Sequence, residues 1–249
     1  SLQGQEGFFY REYTESGEGQ RNYFSEENAK KIDAICMYLA NELQLGNIDE
    51  DEFYVYKASL IDAVTKVSNT SGTYGSFLKI NDNRKFKKLW LEPQIVINNG
   101  KNNESFCEDI NQVITHVEGD ILYLDPPYNN RQYPPYYHIL ETVTLYDEPN
   151  IYGKTGRRYY EEKLSPLCMK DRAIPSMVSI VRDANFRHIY ISYSTDGIMP
   201  YRELCAQLEA FGNVNVYFKP YRRYKANSNG NIEDDKGKLK EIIIYVEKR

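Results

Sequence analysis

Apolar residues recur at steps of three and four twice within the first 70 positions of the chain. Ala29, Ile32, Cys36, Leu39 and Leu43 form one stripe; Ser25 is placed to cap that helix, and Glu26 and Glu27 sit at its positive end. Gly46 ends it. Phe53, Tyr56, Leu60, Ala63, Val64 and Val67 form a second stripe, which predicts a helix over 52–67. Ahead of Ser25 no period is sustained, so residues 1–24 read as loop or extended chain. The polar run 68–75 (SNTSGTYG) reads as a loop, and the short apolar run 94–97 as a strand.

The second half follows a different pattern. Residues 121–124 (ILYL) read as a buried strand, 139–145 as a helix and 188–194 (HIYISYS) as another strand. Pro200 suits the first turn of a helix over 202–210. The β-rich runs 214–218 and 242–246, with no helix between them, predict an antiparallel pair. Strands alternating with helices imply an α/β fold with a mainly parallel sheet. The predicted division is a mainly helical region, 1–105, followed by a sheet-bearing region, 106–249.

Composition narrows the class without naming it. Apolar content of 41% and charge of 27% are those of a globular protein. No apolar run reaches membrane-spanning length and no leader opens the chain, so the expected location is cytoplasmic. Cys36, Cys107, Cys168 and Cys205 lie far apart with no CxxC pair, which argues against a zinc site and a disulfide framework. The net charge of −5 is not that of a bulk polyanion binder. Basic stretches nonetheless occur at 79–88, at Arg157-Arg158 and at Arg222-Arg223-Tyr224-Lys225. Several of the 23 tyrosines lie beside them, the pairing of ring and cation that stacking on unpaired bases uses.

Chemistry concentrates in Asp125-Pro126-Pro127-Tyr128, directly after the ILYL strand. In an open α/β sheet, ligands sit beyond the carboxyl ends of strands. An aromatic amine carries two hydrogens and a lone pair delocalised into its ring. The Asp125 carboxylate can accept one hydrogen and the Pro126 carbonyl the other, which frees the lone pair for attack on a methyl group. The two prolines fix φ and remove competing donors. Tyr128 offers a flat face to a base rotated out of a duplex.

DPPY and the longer run DPPYNNRQYPPYYHILET resemble the adenine-N6 DNA methyltransferases of restriction–modification systems, in the Dam-like group. YFSEENAKKIDAI, VSNTSGTYGSFLK and YRRYKANSN look like pieces of the same branch. The resemblance implies a Rossmann-like methyltransferase sheet with a mainly helical recognition region, here centred on about 54–101. It implies S-adenosylmethionine as cofactor, double-stranded DNA as substrate and a cognate restriction endonuclease as partner. Asp125, Pro126, Pro127 and Tyr128 take the catalytic role in that reading, with Asp125 also beside the cofactor. Glu108 and Asp109 resemble the acidic site for the cofactor's adenine. Asn130, Arg131 and Tyr133 would form a lid over the flipped base, Ser192, Tyr193 and Ser194 would line its pocket, and Arg222, Arg223 and Lys225 would hold flanking phosphates.

One departure stands out. Family members begin with a strand and an FxGxG-like turn that cradles the cofactor's methionine part. The only GxG of this chain is Gly17-Glu18-Gly19, with no strand before it. The expectation is a truncated form lacking the first strands of its sheet, with cofactor binding by this chain alone in doubt. Residues 121–124 would then be an open edge, favouring a homodimer. Two other readings remain open: a non-catalytic DNA-recognition fragment, and an enzyme acting on RNA adenine. Amide-methylating relatives resemble NPPY, and cytosine-N4 enzymes more often show Ser in the first place, so Asp125 disfavours both.

Overall fold

The structure, a computed structural model, describes residues 2–220 and 240–249. These form two compact units that interleave along the chain.

The first unit comprises Ser1–Lys101 and Tyr133–Lys163. It contains α1 (Phe8–Tyr13), α2 (Glu26–Gln44), α3 (Glu50–Lys66) and α5 (Tyr133–Leu145), with a two-stranded antiparallel ribbon of β2 (Ile151–Tyr152) and β3 (Arg157–Arg158). Ser25 caps α2 by accepting the Asn28 N–H at 3.3 Å, and Gly46 follows it at a φ of 72°. Asp49 and Glu52 form a reciprocal capping box, so α3 starts two residues earlier than its apolar stripe suggests.

Two expectations fail here for identifiable reasons. Residues 8–13 are helical rather than loop, because a distant carboxylate caps them. Asp33 on α2 accepts the backbone N–H groups of Gly7, Phe9 and Tyr10 at 3.1, 2.9 and 2.9 Å. Phe8, Phe9 and Tyr13 are thereby locked into the core beside Tyr23 and Phe24. Residues 94–97 form no strand. They have no pairing partner among the described residues, and Ile95, Val96 and Ile97 are exposed. The loop 68–75 forms as expected, yet Ser68, Asn69 and Thr70 are buried, with Asn69 donating to the carbonyls of Asn22 and Leu78. Residues Tyr133–Lys163 lie beyond the predicted boundary near residue 105 but pack in this unit, where Ile139 and Val143 of α5 are fully buried.

The second unit comprises Asn102–Gln132 and Leu164–Arg249. It contains α4 (Ile110–Val113), β1 (Glu118–Leu124), α6 (Ala173–Asp183), β4 (Asn185–Ser194), α7 (Tyr201–Leu208), β5 (Gly212–Pro220) and β6 (Lys240–Lys248). The sheet order is β1-β4-β6-β5, with β1 parallel to β4 and β6 antiparallel to both neighbours. The antiparallel closing pair β5–β6 is as the sequence predicts. The sheet is mixed rather than mainly parallel, because β6 inserts antiparallel between β4 and β5 and leaves β1–β4 as the one parallel pairing among the described strands. Ile189, Ile191 and Tyr193 of β4, with Ile242, Ile244 and Val246 of β6, bury one face against α6 and α7. Helix α6 has no signal in its cap, since Arg172 supplies no side-chain hydrogen bond.

β1 differs from its expectation in burial. Leu124 is buried, but Ile121 and Tyr123 are 62% and 60% exposed. Side chains alternate along a strand, so only one face of β1 belongs to the core. Among the described residues β1 pairs with β4 alone and forms the edge of the sheet.

Candidate active site

The parallel pairing of β1 and β4 sets Leu124 opposite Ile191. Asp125 and Ser192 therefore follow at the same carboxyl end of the sheet, where α/β folds hold ligands. The four motif residues differ in surroundings. Pro126 is buried and anchors the turn; Asp125 is exposed, with no hydrogen bond or ion pair among the described residues. The Pro126 carbonyl likewise accepts no hydrogen bond among them. Tyr128 is 52% exposed, with its ring available to a planar partner. Two acceptors and an open aromatic face thus stand within four consecutive residues.

A second loop braces this turn. The Ile198 N–H donates to the Tyr128 carbonyl at 3.0 Å. The same loop closes over Tyr193, whose hydroxyl accepts the Met199 N–H at 3.0 Å. Burial pushes that hydroxyl's pKa up, so it stays protonated. A Cβ on Gly197 would stand 2.3 Å from the Tyr193 ring, so only glycine fits there. Tyr193 is 4% exposed and supports the loop that carries Ile198 rather than offering a surface. Ser192 and Ser194 are half-buried, and the Ser194 hydroxyl donates to Asp196. Sequence reading did not single out Gly197 or Ile198. Thr195-Asp196-Gly197 does read as a turn, but what the turn must accommodate is a ring four residues away.

The residues after the motif are tied down. Asn129 accepts the Arg131 N–H at 2.9 Å, an Asx-type turn. The Gln132 side chain makes two bonds to the Ser165 backbone, at 3.0 and 2.8 Å, and the Cys168 thiol donates to the Arg131 carbonyl at 3.4 Å. Asn130 and Arg131 are exposed on this braced segment. Tyr133 begins α5 and belongs to the first unit.

The other acidic candidates stand upstream in the second unit. Asp109 caps α4 by accepting the Asn111 N–H at 2.8 Å, and Glu108 is exposed beside it. Arg222, Arg223 and Lys225 lie outside the described residues. An exposed Asp125 with no partner among the described residues and an exposed Glu108 suit a cofactor with a positive sulfur and a polar adenosine end. The Gly17-Glu18-Gly19 turn does not suit its methionine end. Cβ atoms on Gly17 and Gly19 would strike the carbonyls of Tyr10 and Glu12, so both glycines serve close packing against α1. The sequence holds no other GxG.

A mixed sheet with DPPY at the end of a parallel edge strand is a Rossmann-like methyltransferase sheet, without that sheet's early strands among the described residues. The match of residues 2–205 to the D12 class N6 adenine-specific DNA methyltransferases makes the chain a member of that family. It is 43% identical over 232 residues to type II methyltransferase M.FokI of Planomicrobium okeanokoites, covering 92% of this chain and 35% of that protein. It is 37% identical over 247 residues to type II methyltransferase M.NlaIII of Neisseria lactamica, covering 99% of this chain and 73% of the other. Modification methylase LlaI of Lactococcus lactis subsp. lactis is 39% identical over 247 residues, 97% of this chain and 39% of its own length. The chain thus spans little more than a third of two of these relatives and about three quarters of the third. No solved structure matches it.

Proposed function

We propose that this chain carries the catalytic motif of an S-adenosylmethionine-dependent DNA methyltransferase acting on the N6 amino group of an adenine rotated out of the duplex. The observation that carries the reading is the pair of acceptors without a partner among the described residues, the Asp125 carboxylate and the Pro126 carbonyl, at the carboxyl end of β1. When bound, S-adenosylmethionine supplies an electrophilic methyl group on a positively charged sulfur. Asp125 and Pro126 each accept one amino hydrogen, which turns the nitrogen towards tetrahedral geometry and localises its lone pair on the line of attack. Transfer would form the N–C bond as the sulfur–methyl bond breaks and the sulfur leaves as a neutral thioether; the nitrogen would then be acidic, and Asp125 would stand to receive its proton. Tyr128 stacks on the base and holds the amine in register. Glu108 and Asp109, with Asp125, would hold the cofactor.

Ser192 and Ser194 extend the pocket from the neighbouring strand end, while Tyr193 positions the loop that braces Tyr128. Asn130 and Arg131 cover the base, Tyr133 standing instead in the first unit, and Arg222, Arg223 and Lys225 hold flanking phosphates. The relatives' names, type II methyltransferase and modification methylase, support a place in a restriction–modification system; a cognate endonuclease as partner is part of the same proposal.

Tyr128 gives the direct test of base handling. Tyr128→Ala is expected to weaken binding to a duplex with an abasic site opposite the target by about 1–3 kcal/mol. Tyr128→Phe and Tyr128→Trp should cost far less, because only the flat face is used. Equal damage from Phe and Ala would point to a hydroxyl role and sink the stacking assignment.

The open side of β1 is proposed to pair with a second copy of this chain. Sedimentation at tens of micromolar should give a dimer. A charged substitution at Ile121, 62% exposed on that strand, should weaken it. A clean monomer would overturn the pairing.

A further inference from the structure

The first unit carries an aromatic cavity that the reading above does not use. Its volume is about 220 Å³, below the roughly 300–1,000 Å³ of sites that enclose a whole small molecule. Tyr133, Tyr137, Tyr159 and Tyr160 wall it, and the first three are 54%, 41% and 64% exposed. Tyrosines exposed to that degree around one cavity are costly unless something covers them. The wall is held in shape: Tyr133 and Tyr137 meet edge to face at 5.8 Å, and the Arg157 guanidinium lies 5.9 Å from the Tyr160 ring.

We infer that this cavity binds a single unpaired nucleobase of the DNA, through residues other than those of the DPPY turn. The inference rests on the DNA-methyltransferase reading for its ligand class but on different residues. Charge decides between ligands. Lys163 donates to Glu141 at 2.9 Å, and Arg158 is held by Asp147 in two bonds of 2.6 and 2.7 Å. Each cation at the cavity therefore has its own carboxylate, and Glu141 itself lines the wall. A phosphate would meet Glu141 and gain little from neutralised cations. An uncharged base matches better: its faces stack on tyrosine, and its edge presents donors to Glu141 and acceptors to Lys163 and Arg158. A base is also flat enough to enter a cavity too small for a nucleotide.

Fluorescence anisotropy of a labelled single-stranded DNA twelve-mer tests this on the whole chain. Tyr159→Ala should weaken binding by about 5- to 150-fold, the loss of one base–aromatic contact. Tyr159→Phe should stay within about twofold. Free deoxynucleosides should compete for the unsubstituted chain, and inorganic phosphate at matched ionic strength should not. Tyr159 is mostly exposed, so its truncation should leave thermal unfolding unchanged. Glu141→Gln, a near-isosteric change, should alter the preference among dA, dC, dG and dT twelve-mers. Wild-type affinity in Tyr159→Ala, or competition by phosphate equal to that by nucleosides, would overturn the inference. If Tyr128→Ala weakens binding while Tyr159→Ala does not, this site fails and the DPPY assignment stands. If the unsubstituted chain binds no DNA, both fail.

Discussion

Replacing Asp125 by alanine, in a methylating protein that contains this chain, is expected to lower methyl transfer to DNA by about a hundredfold to a thousandfold. That is the usual cost of removing one aligned hydrogen-bonding group from a transition state. Binding should change little, since Tyr128 still stacks on the base. Stability should change little too, because Asp125 is exposed and has no partner among the described residues. The effect should fall on kcat and kcat/KM alike, the signature of an interaction made mainly in the transition state. Asp125→Asn keeps an acceptor oxygen but loses the charge and the proton-accepting capacity, so it should lie between wild type and alanine. Radiolabelled methyl transfer, with unfolding followed in parallel, checks all three proteins. Near-wild-type turnover in the alanine variant would remove DPPY from the chemistry.

The catalytic turn was legible because its evidence is local. A strand of apolar residues, an acid, two prolines and an aromatic ring stand in eight consecutive positions, and the structure sets them at the carboxyl end of β1. Helices α2 and α3 were legible for the same reason, from their own apolar stripes and, at α2, the adjacent cap Ser25; the Asp49 cap of α3 was not read from the sequence. What escaped the sequence depends on partners far along the chain. The apolar run at 94–97 has strand composition, but a strand exists only with a neighbour to pair with, and none of the described strands adopts it. The interleaving of the two units is equally invisible from composition. It rests on bonds such as that from the Tyr13 hydroxyl to the Gly156 carbonyl, spanning 143 positions. The tyrosine excess was visible; its gathering around one cavity by α5 and the segment after β3 was not.

Asp33 concentrates that long-range dependence in one side chain, and its loss should destabilise the first unit most. Its carboxylate is fully buried and accepts four hydrogen bonds: three from the backbone N–H groups that open α1 and one from the Tyr146 hydroxyl at 2.8 Å. Burial pushes its pKa up, and the four donors oppose that shift. The N-terminal end of a helix also favours the negative charge. Asp33→Ala would strand three backbone donors and a phenol in an apolar core while leaving a cavity beside Phe9. The expected cost is about 3–5 kcal/mol, the range for removing one partner of a buried, hydrogen-bonded charge. Tyr146→Phe removes one donor of four and leaves the α1 cap intact, so it should cost only about 0.5–1.5 kcal/mol. Denaturant unfolding of both variants supplies the comparison. Hydrogen exchange should report the Asp33→Ala damage first at the amides of Phe9 and Tyr10. If Asp33→Ala unfolds within about 1 kcal/mol of wild type, then α1 is held by its aromatic packing alone, and the carboxylate is not its cap.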